Sequence, residues 1–296
     1  MRIKKPLALL ISSASTIALG LSSPVMADSV TELVNKAVNM GKDALYADAP
    51  GWLQRTSIEL QVEDGFKPTI ELETVQPILQ NSEDDMLFYQ LNARSRDSQQ
   101  SYNLGLGYRY IVSDKIMYGA NTFYDYADEH AHKRSSIGLE AISSIYEVRA
   151  NIYNAISGKK TIRANEFEQA LDGWDVEVGG SILPTHRELK VYLSHAEFEA
   201  VSAGRSDYRD NQLRLTYPLN SNTMLELGHT MEREKYSDKN QNRSFAKLKY
   251  TFGRSDNAQS SKSAGLHTKL LQPVERRHEI VLEKTIQASV TVSRGN

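Results

Sequence analysis

Carboxylate and basic side chains recur at every second position of several segments, and pairs of them could act as a general acid and a general base. Such catalysis needs two titratable groups held beside one reacting bond. Pairing of buried charges explains the same alternation, and no motif singles out one carboxylate pair, so we interpret these residues as an ion-pair ladder. The ladder comprises Glu59, Glu71, Glu73, Asp125, Glu140, Glu147, Asp175 and Glu177 opposite Arg94, Arg109, Arg149, Lys190, Arg214, Lys247 and Lys249.

Other reactive residue types form no recognisable site. The sequence contains no cysteine, so disulfides and thiolate metal sites are excluded. His195, His229 and His278 lack the spacing of metal ligands. The signatures of serine hydrolases, nucleotide-binding loops, zinc peptidases, zinc fingers and EF-hands are missing, as are the motifs of barrel phospholipases and barrel proteases. We therefore expect no enzymatic activity, no metal site and no cofactor.

The charged residues lie in segments whose apolar and polar residues alternate strictly, a pattern typical of β-strands. The clearest segment, residues 102–110, has large apolar residues on one face, with tyrosines at both ends, and small or polar residues on the other. This distribution predicts a strand with lipid on one side and a polar lumen on the other. The alternation sets Tyr102, Leu104, Leu106, Tyr108 and Tyr110 against Asn103, Gly105, Gly107 and Arg109.

From residue 54 onward the pattern predicts about twelve such strands of roughly 9 to 12 residues, hence an all-β, antiparallel transmembrane barrel. Residues 157–172 are predicted to be a long polar loop. Short periplasmic turns and longer outer loops are expected to alternate. The short connections are Asp64-Gly65, Ser113-Asp114, Pro184-Thr185 and Asn220-Ser221, and the longer ones lie near residues 80, 128, 165, 203 and 237.

The N-terminus predicts export from the cytoplasm. Basic residues precede an apolar run that ends in Val25-Met26-Ala27, which indicates a signal peptide over residues 1–27. Helical spacing of apolar residues predicts a short periplasmic leader helix within residues 28–50. The barrel is assigned to residues 51–253, and a linker with a short C-terminal tail to residues 254–296. We expect the outer membrane of a Gram-negative bacterium as the location.

The overall charge gives no indication of a nucleic-acid partner. The chain has 35 basic and 37 acidic residues, and the basic ones form no stripe. A secreted β-sandwich or propeller remains an alternative to the barrel, because many short strands are common to all three folds.

Several segments resemble the β-domain of the intimin/invasin family, also called inverse autotransporters. The resemblance extends over residues 50–284 and rests on the order and spacing of short motifs. The barrel motifs are Gly105–Arg109, Met117–Tyr126, Ile137–Glu140, Asn151–Tyr153, Ser157-Gly158, Gly173–Val176, Leu183-Pro184 and Leu248–Gly253. The following segment, Gln272–Lys284, looks like the family's linker and the start of its exported region.

The resemblance implies that the barrel inserts in the outer membrane and that the linker passes through the lumen to deliver a C-terminal passenger outside. Arg276 and Arg277 would then pair with the lumen carboxylates, and inward glycines would leave room for the chain. These glycines are Gly105, Gly107, Gly119, Gly138, Gly179 and Gly228. The implied partners are outer-membrane lipid, the barrel-assembly machinery, periplasmic chaperones, and either a full-length relative or a host surface.

The sequence also departs from the family pattern. About 44 residues follow Phe252, too few for an immunoglobulin-like adhesive domain of roughly 100 residues. Lys159 stands where the family often has tryptophan, and no peptidoglycan-binding module precedes the barrel.

Three hypotheses about function follow. The first is a passenger-less or truncated inverse autotransporter, associated with adhesion or invasion, that anchors its own C-terminal segment at the cell surface. The alternative is a small channel of the porin type with a water-filled lumen. A barrel enzyme ranks last, because no catalytic motif supports it.

Overall fold

The computed structural model describes residues 53–97, 99–203, 205, 207–233, 241–252 and 265–286. The predicted signal peptide and leader helix lie outside these residues, as does the end of the C-terminal tail. Within the described part of the chain, no helix is long and apolar enough to span a bilayer.

Fifteen strands are present in the described residues, and twelve of them form the barrel. The barrel strands are β1 (Thr56–Glu63), β2 (Thr69–Leu79), β3 (Asp85–Arg96), β4 (Gln99–Ser113), β5 (Ile116–Ala127), β6 (His132–Ser143), β7 (Tyr146–Ala155), β10 (Gly173–Ser181), β11 (Lys190–Phe198), β12 (Tyr208–Pro218), β13 (Thr223–Arg233) and β14 (Gln241–Thr251). The other three are β8 (Lys160–Arg163), β9 (Glu166–Ala170) and β15 (Leu282–Ile286).

Each barrel strand runs antiparallel to its neighbours, and pairing of β1 with β14 closes the sheet. In the closing register Ser57 lies opposite Thr251 and Glu63 opposite Phe245. β7 pairs directly with β10, with Tyr153 opposite Gly173, so β8 and β9 are not part of the barrel wall. The prediction of a twelve-stranded antiparallel barrel is confirmed.

The two faces of the wall follow the alternation of the sequence. In β4 the side chains of Leu104 and Leu106 are exposed on the outside, whereas Asn103 and Arg109 are buried inside. Closure of the sheet pairs every barrel strand on both sides, so the apolar outer face can lie in a bilayer without an open sheet edge.

The predicted loop at residues 157–172 is wrong, because most of it forms the hairpin of β8 and β9. β15 adds to this hairpin from the C-terminal part of the chain and completes a three-stranded sheet in the order β15, β9, β8. One of the two pairing partners of β9, β15, lies more than one hundred residues away, and strand formation depends strongly on such neighbours. The local sequence of residues 157–172 indicates only a polar segment.

The barrel has two ends, which we call the near end, where β1 begins and β14 ends, and the far end. Antiparallel strands alternate in direction, so the β8–β9 hairpin and the connection between β5 and β6 lie at the far end. The predicted rhythm of loop lengths fails in the first two connections. Asp64-Gly65 lies at the far end with the longer loops, and the loop near residue 80 lies at the near end. The length of a connection alone does not show at which end of the barrel it lies. The short turn after β3 also lies at the far end.

The inward glycines make room for neighbouring side chains of the wall rather than for the linker directly. A Cβ on Gly107 would lie 2.3 Å from the Phe88 ring, and one on Gly105 would lie 2.2 Å from the Phe123 ring. The aromatic rings therefore lie flat over glycines of adjacent strands, an arrangement that also stabilises designed sheets. The glycines thus leave room for the linker only indirectly, because they accommodate wall side chains that would otherwise extend further into the lumen.

Candidate functional site: the segment that crosses the lumen

Residues 265–281, which we call the lumen segment, pass through the barrel from the near end to the far end. At the near end, His267 Nε2 lies 3.0 Å from Asp84 Oδ1, and Lys269 Nζ donates to the Ser143 carbonyl at 2.8 Å. At the far end the chain continues into β15, which pairs with β9. The lumen segment therefore spans the whole length of the wall.

The first part of the lumen segment contributes apolar side chains that are buried against apolar side chains of the wall. Leu266, Leu270 and Val274 join a buried cluster supplied by β2 to β6. Exclusion of water from these surfaces favours the docked position of the segment. The wall contributes Val75, Met86, Phe88, Ile111, Met117, Phe123 and Ile142.

Arg109 of β4 fixes the short 3-10 helix Leu266–Lys269 that begins the lumen segment. Its side chain, 1% exposed, pairs with Glu140 through Nε at 2.6 Å. Nη1 donates to the carbonyls of Lys269 and Leu270, both at 3.1 Å, and to that of Gln272. Carbonyls at the C-terminal end of a helix lack intrahelical hydrogen-bond donors, and the Arg109 guanidinium donates to these carbonyls.

Arg276 of the lumen segment makes a buried, two-armed salt bridge with Asp125 of β5. Nη1 lies 2.9 Å and Nη2 2.7 Å from the two carboxylate oxygens. Asp125 also accepts hydrogen bonds from Arg134 at 2.8 Å and from Asn103 at 2.7 Å, and Arg276 donates to Ser136 at 3.1 Å. One carboxylate thus holds two guanidinium groups, one from the wall and one from the lumen segment.

The next residue, Arg277, contacts the opposite side of the barrel. Its guanidinium lies 2.6 Å from Asp210 Oδ2 of β12. Its backbone N–H donates to the Tyr153 hydroxyl at 3.0 Å, and that hydroxyl donates to Asp175 at 2.6 Å. The Arg277 carbonyl accepts from Arg134 at 2.7 Å. Adjacent arginines therefore fix the segment to two distant parts of the wall.

The acidic residues of the lumen segment meet basic groups of the wall. Glu279 lies 2.6 Å from Arg96 and 3.1 Å from Arg94. Glu275 lies 3.4 Å from Arg214. Each formal charge at positions 275, 276, 277 and 279 has an opposite charge on the wall, so segment and lumen are complementary in charge.

The nine candidate site residues all face the lumen or belong to the lumen segment. Arg94, Arg109 and Asp125 contact the segment directly, while Glu140 acts through Arg109 and Asp175 through Tyr153. Arg149 and Glu177 belong to a network within the wall. Arg149 pairs with Glu147 and with Glu177 at 2.9 Å, and Glu177 pairs with Arg214 at 2.6 Å.

Arg134, Asp210 and Arg96 contact the lumen segment but were not among the candidates. Arg134 shares its face of β6 with Glu140, so the alternation could have identified it. The alternation in sequence predicts the other two strands, β3 and β12, over residues 86–94 and 211–217, so Arg96 and Asp210 lie just beyond the predicted ends. Because strand ends are the least certain part of such predictions, the missing signal was the extent of β12 and β3.

Glu71, Glu73 and His278 place their ligand atoms within 4.8 Å of one another, a spacing that could hold a metal ion. Both carboxylates already interact with protein groups, Glu71 with His278 Nδ1 at 2.7 Å and Glu73 with Lys249 Nζ at 2.8 Å. We therefore interpret this cluster as a further contact between the wall and the lumen segment.

A cavity of about 200 Å³ remains beside the lumen segment. It is lined by charged residues of β1, β13 and β14, including Glu59, Glu226, Lys247 and Lys249, and by Glu275 of the segment. A polar space of this size holds water.

Comparison with known proteins gives a consistent result. A family model described as "Inverse autotransporter, beta-domain" matches residues 12–278. The chain is 29% identical over 150 residues to "Putative attaching and effacing protein homolog" of Escherichia coli K12, with 50% of each chain covered. It is 26% identical over 273 residues to "Invasin" of Yersinia enterocolitica, with 86% of this chain and 32% of that one covered.

A third relative, "Inverse autotransporter adhesin YeeJ" of Escherichia coli K12, is 26% identical over 199 residues, which cover 62% of this chain and 8% of the relative. The chain thus spans half or less of the length of each of these relatives. A solved structure described as "Unveiling the Mechanism Behind the in-meso Crystallization of Membrane Proteins" has the same fold. Its TM-score is 0.65 at 22% identity, with 78% of this chain and 99% of that one covered.

Proposed function

Because the chain belongs to the inverse autotransporter β-domain family, we propose that the barrel holds its own C-terminal segment in the lumen and presents the following residues at the cell surface. The chain is located in the outer membrane of a Gram-negative bacterium, with the apolar outer face in lipid. In this proposal the near end faces the periplasm and the far end faces the outside.

One observation carries this proposal: the lumen segment enters at the near end and leaves at the far end with its charges matched to the wall. A segment whose charges did not match the wall would leave ions buried without a partner. Each such ion costs several kcal/mol, about the penalty of removing it from water. The Arg276–Asp125 and Arg277–Asp210 pairs offset that cost in the far-end half of the path.

The alternative of a small channel requires an open lumen. The apolar cluster around Leu266, Leu270 and Val274 occupies the near end of the lumen, and the lumen segment extends from there to the far end, where it continues into β15. These observations favour the anchor over the channel.

We also propose that the barrel has no catalytic role, because the charged residues of the lumen serve in ion pairs with each other or with the lumen segment. Exposed apolar faces of unassembled strands aggregate readily in water. This property supports periplasmic chaperones and the barrel-assembly machinery as partners. The relatives named invasin and adhesin support a role in adhesion, either with a full-length relative or at a host surface.

The experiment that tests the proposal places an epitope tag after Asn296 and adds protease to intact cells. We expect the tag to be removed. A matched control carries the tag in the near-end turn between Asp114 and Lys115, where protection is expected. A C-terminal tag as well protected as the near-end tag would contradict the proposal.

A further inference from the structure

The lumen segment brings main-chain N–H and C=O groups into the inside of the barrel. Residues 273–280 belong to no helix or strand, so regular secondary structure does not pair their backbone groups. Backbone groups that lie away from bulk water need other partners, either side chains or ordered water. The hydrogen bonds of this stretch therefore show what kind of ligand the wall binds.

Gln90 of β3 binds both backbone groups of Val274. Its side-chain Oε1 accepts from the Val274 N–H at 2.8 Å, and its Nε2 donates to the Val274 carbonyl at 3.4 Å. The Gln90 side chain is completely buried. A carboxamide that accepts and donates in this way offers the same pair of groups as a peptide unit of a neighbouring strand. Gln90 thus recognises the backbone of the segment.

Three wall side chains bind the backbone of Arg277 and His278 in a similar way. Arg134 donates to the Arg277 carbonyl at 2.7 Å, and the Tyr153 hydroxyl accepts from the Arg277 N–H at 3.0 Å. Asn103 Nδ2 donates to the His278 carbonyl at 3.1 Å. Together with the carbonyl contacts described above at the near end, they form a row that we call the backbone track. Its members, on β3, β4, β6 and β7, are Gln90, Asn103, Arg109, Arg134 and Tyr153.

Each member of the backbone track is held by a carboxylate of the wall. Gln90 donates to Glu73 at 2.8 Å, and Asn103 and Arg134 both donate to Asp125, at 2.7 and 2.8 Å. For Arg109 and Tyr153 the carboxylates are those of Glu140 and Asp175. Because these partners belong to the wall, the track is oriented before the segment enters. Groups oriented in advance lose less conformational entropy when they bind.

We propose that the backbone track binds extended polypeptide of any sequence, and that the C-terminal part of the chain moves along it while it crosses the barrel. This inference rests on the function proposed above. Every residue except proline carries the same N–H and C=O groups, so a chain that advances by one or more residues meets the same partners. The track thereby lowers the cost of taking backbone groups out of bulk water.

The other side of the lumen leaves space for the side chains of a passing chain. The cavity of about 200 Å³ is lined mostly by β1 and β10 to β14, and none of the five track residues lines it. Side chains of different size and charge can enter this polar space by displacing water. The ion pairs of Arg276, Arg277 and Glu279 depend on particular side chains, so they fix only the final register of the segment.

Amide exchange of the full-length protein, folded in detergent micelles, measures the backbone contacts directly. Gln90→Leu removes both contacts with the Val274 backbone, and exchange of the Val274 amide should become about tenfold faster or more, the factor that one or two lost hydrogen bonds produce. The matched control is Gln212→Leu. This second lumen glutamine donates to Thr230 at 2.8 Å and has no hydrogen bond with the lumen segment among the described residues. Its Val274 exchange should equal that of the unchanged protein.

A double variant, Glu275→Gln with Glu279→Gln, separates backbone binding from side-chain matching. The arginines that face these two glutamates keep acidic partners in the wall. Exchange of the Val274 amide should become at most about fivefold faster, because partly exposed ion pairs contribute little to stability, and Gln90→Leu should have its full effect in this background too. All variants are first compared for folded fraction by their mobility in unheated gels. An equal effect of the double variant and Gln90→Leu, or no effect of folded Gln90→Leu, would overturn the proposal.

Movement along the track is tested in cells with a chain of unrelated sequence. A polar extension with an epitope tag is added after Asn296, and protease is applied to intact cells at successive times after a pulse of synthesis. The tag should reach the surface several-fold more slowly in Gln90→Leu than in Gln212→Leu or the unchanged barrel. Equal rates would overturn movement along the track. A tag that stays protected even in the unchanged protein would instead contradict the proposed function, while amide exchange still decides whether the track binds backbone.

Discussion

Arg276 of the lumen segment and Asp125 of β5 share two hydrogen bonds, at 2.9 and 2.7 Å, and both side chains are completely buried. Asp125 is also the partner of Arg134. One carboxylate therefore balances two guanidinium groups in the far-end half of the barrel, and loss of its charge would leave both without compensation.

Asp125→Asn should lower the free energy of unfolding by about 3–5 kcal/mol, because it leaves buried guanidinium groups without a counter-charge. Urea titration of the protein in micelles measures this change. The matched control is Arg209→Gln, which breaks an exposed pair with Glu197 and should cost no more than about 1 kcal/mol. Equal losses in the two variants would refute the central role of Asp125.

Arg109→Lys should loosen the near end of the lumen segment while the positive charge stays in place. A lysine cannot reach Glu140 and three backbone carbonyls together, since it lacks the guanidinium fork. Each lost hydrogen bond is worth about 1 kcal/mol, so amide exchange at residues 266–272 should become roughly tenfold faster or more. Arg209→Lys, at an exposed residue that pairs with Glu197 and has no contact with the lumen segment among the described residues, should leave that exchange rate unchanged. No difference between the two variants would count against the Arg109 contact.

Deletion of residues 254–296 should increase ion conductance in planar bilayers, because it removes the chain that fills the lumen. Deletion of residues 287–296 alone is the control, since it keeps the lumen segment, and its conductance should match that of the intact protein. If the longer deletion leaves conductance unchanged, the lumen segment does not close the barrel.

Gly107→Ala should destabilise the barrel, because the new Cβ would lie 2.3 Å from the Phe88 ring. Overpacking of this kind costs about 1–3 kcal/mol, measurable as a lower midpoint in urea. Gly158→Ala is the matched control, as no atom lies within 4 Å of its new Cβ. Similar midpoints for both variants would show that the ring moves aside without cost.

The strand faces could be predicted from sequence because lipid and lumen impose a local rule. In residues 102–110 every second side chain is large and apolar, and those side chains lie outside in the structure, while Asn103 and Arg109 lie inside. Whether a side chain of the wall points outward or inward thus follows from the alternation in sequence, which has a period of two residues.

The contacts of the lumen segment could not be predicted in the same way. The family resemblance implies that Arg276 meets a lumen carboxylate, but Asp125 is separated from it by 151 residues and is one of many acidic candidates. Asp210, the partner of Arg277, was missed because it precedes the predicted start of its strand. Likewise β9 pairs on one side with β15, a partner distant in sequence that no local pattern reveals.

The sheet at the far end has a mechanical consequence. β15 runs antiparallel to β9, with Leu282 opposite Ala170, close to the barrel wall, and Ile286 opposite Glu166. A pull applied beyond Ile286 acts along the strand axis while β9 is held at its barrel side, so the backbone hydrogen bonds bear the load in shear and together. Tension on the emerging chain would be borne first by this sheet, and only after its rupture by the buried salt bridges.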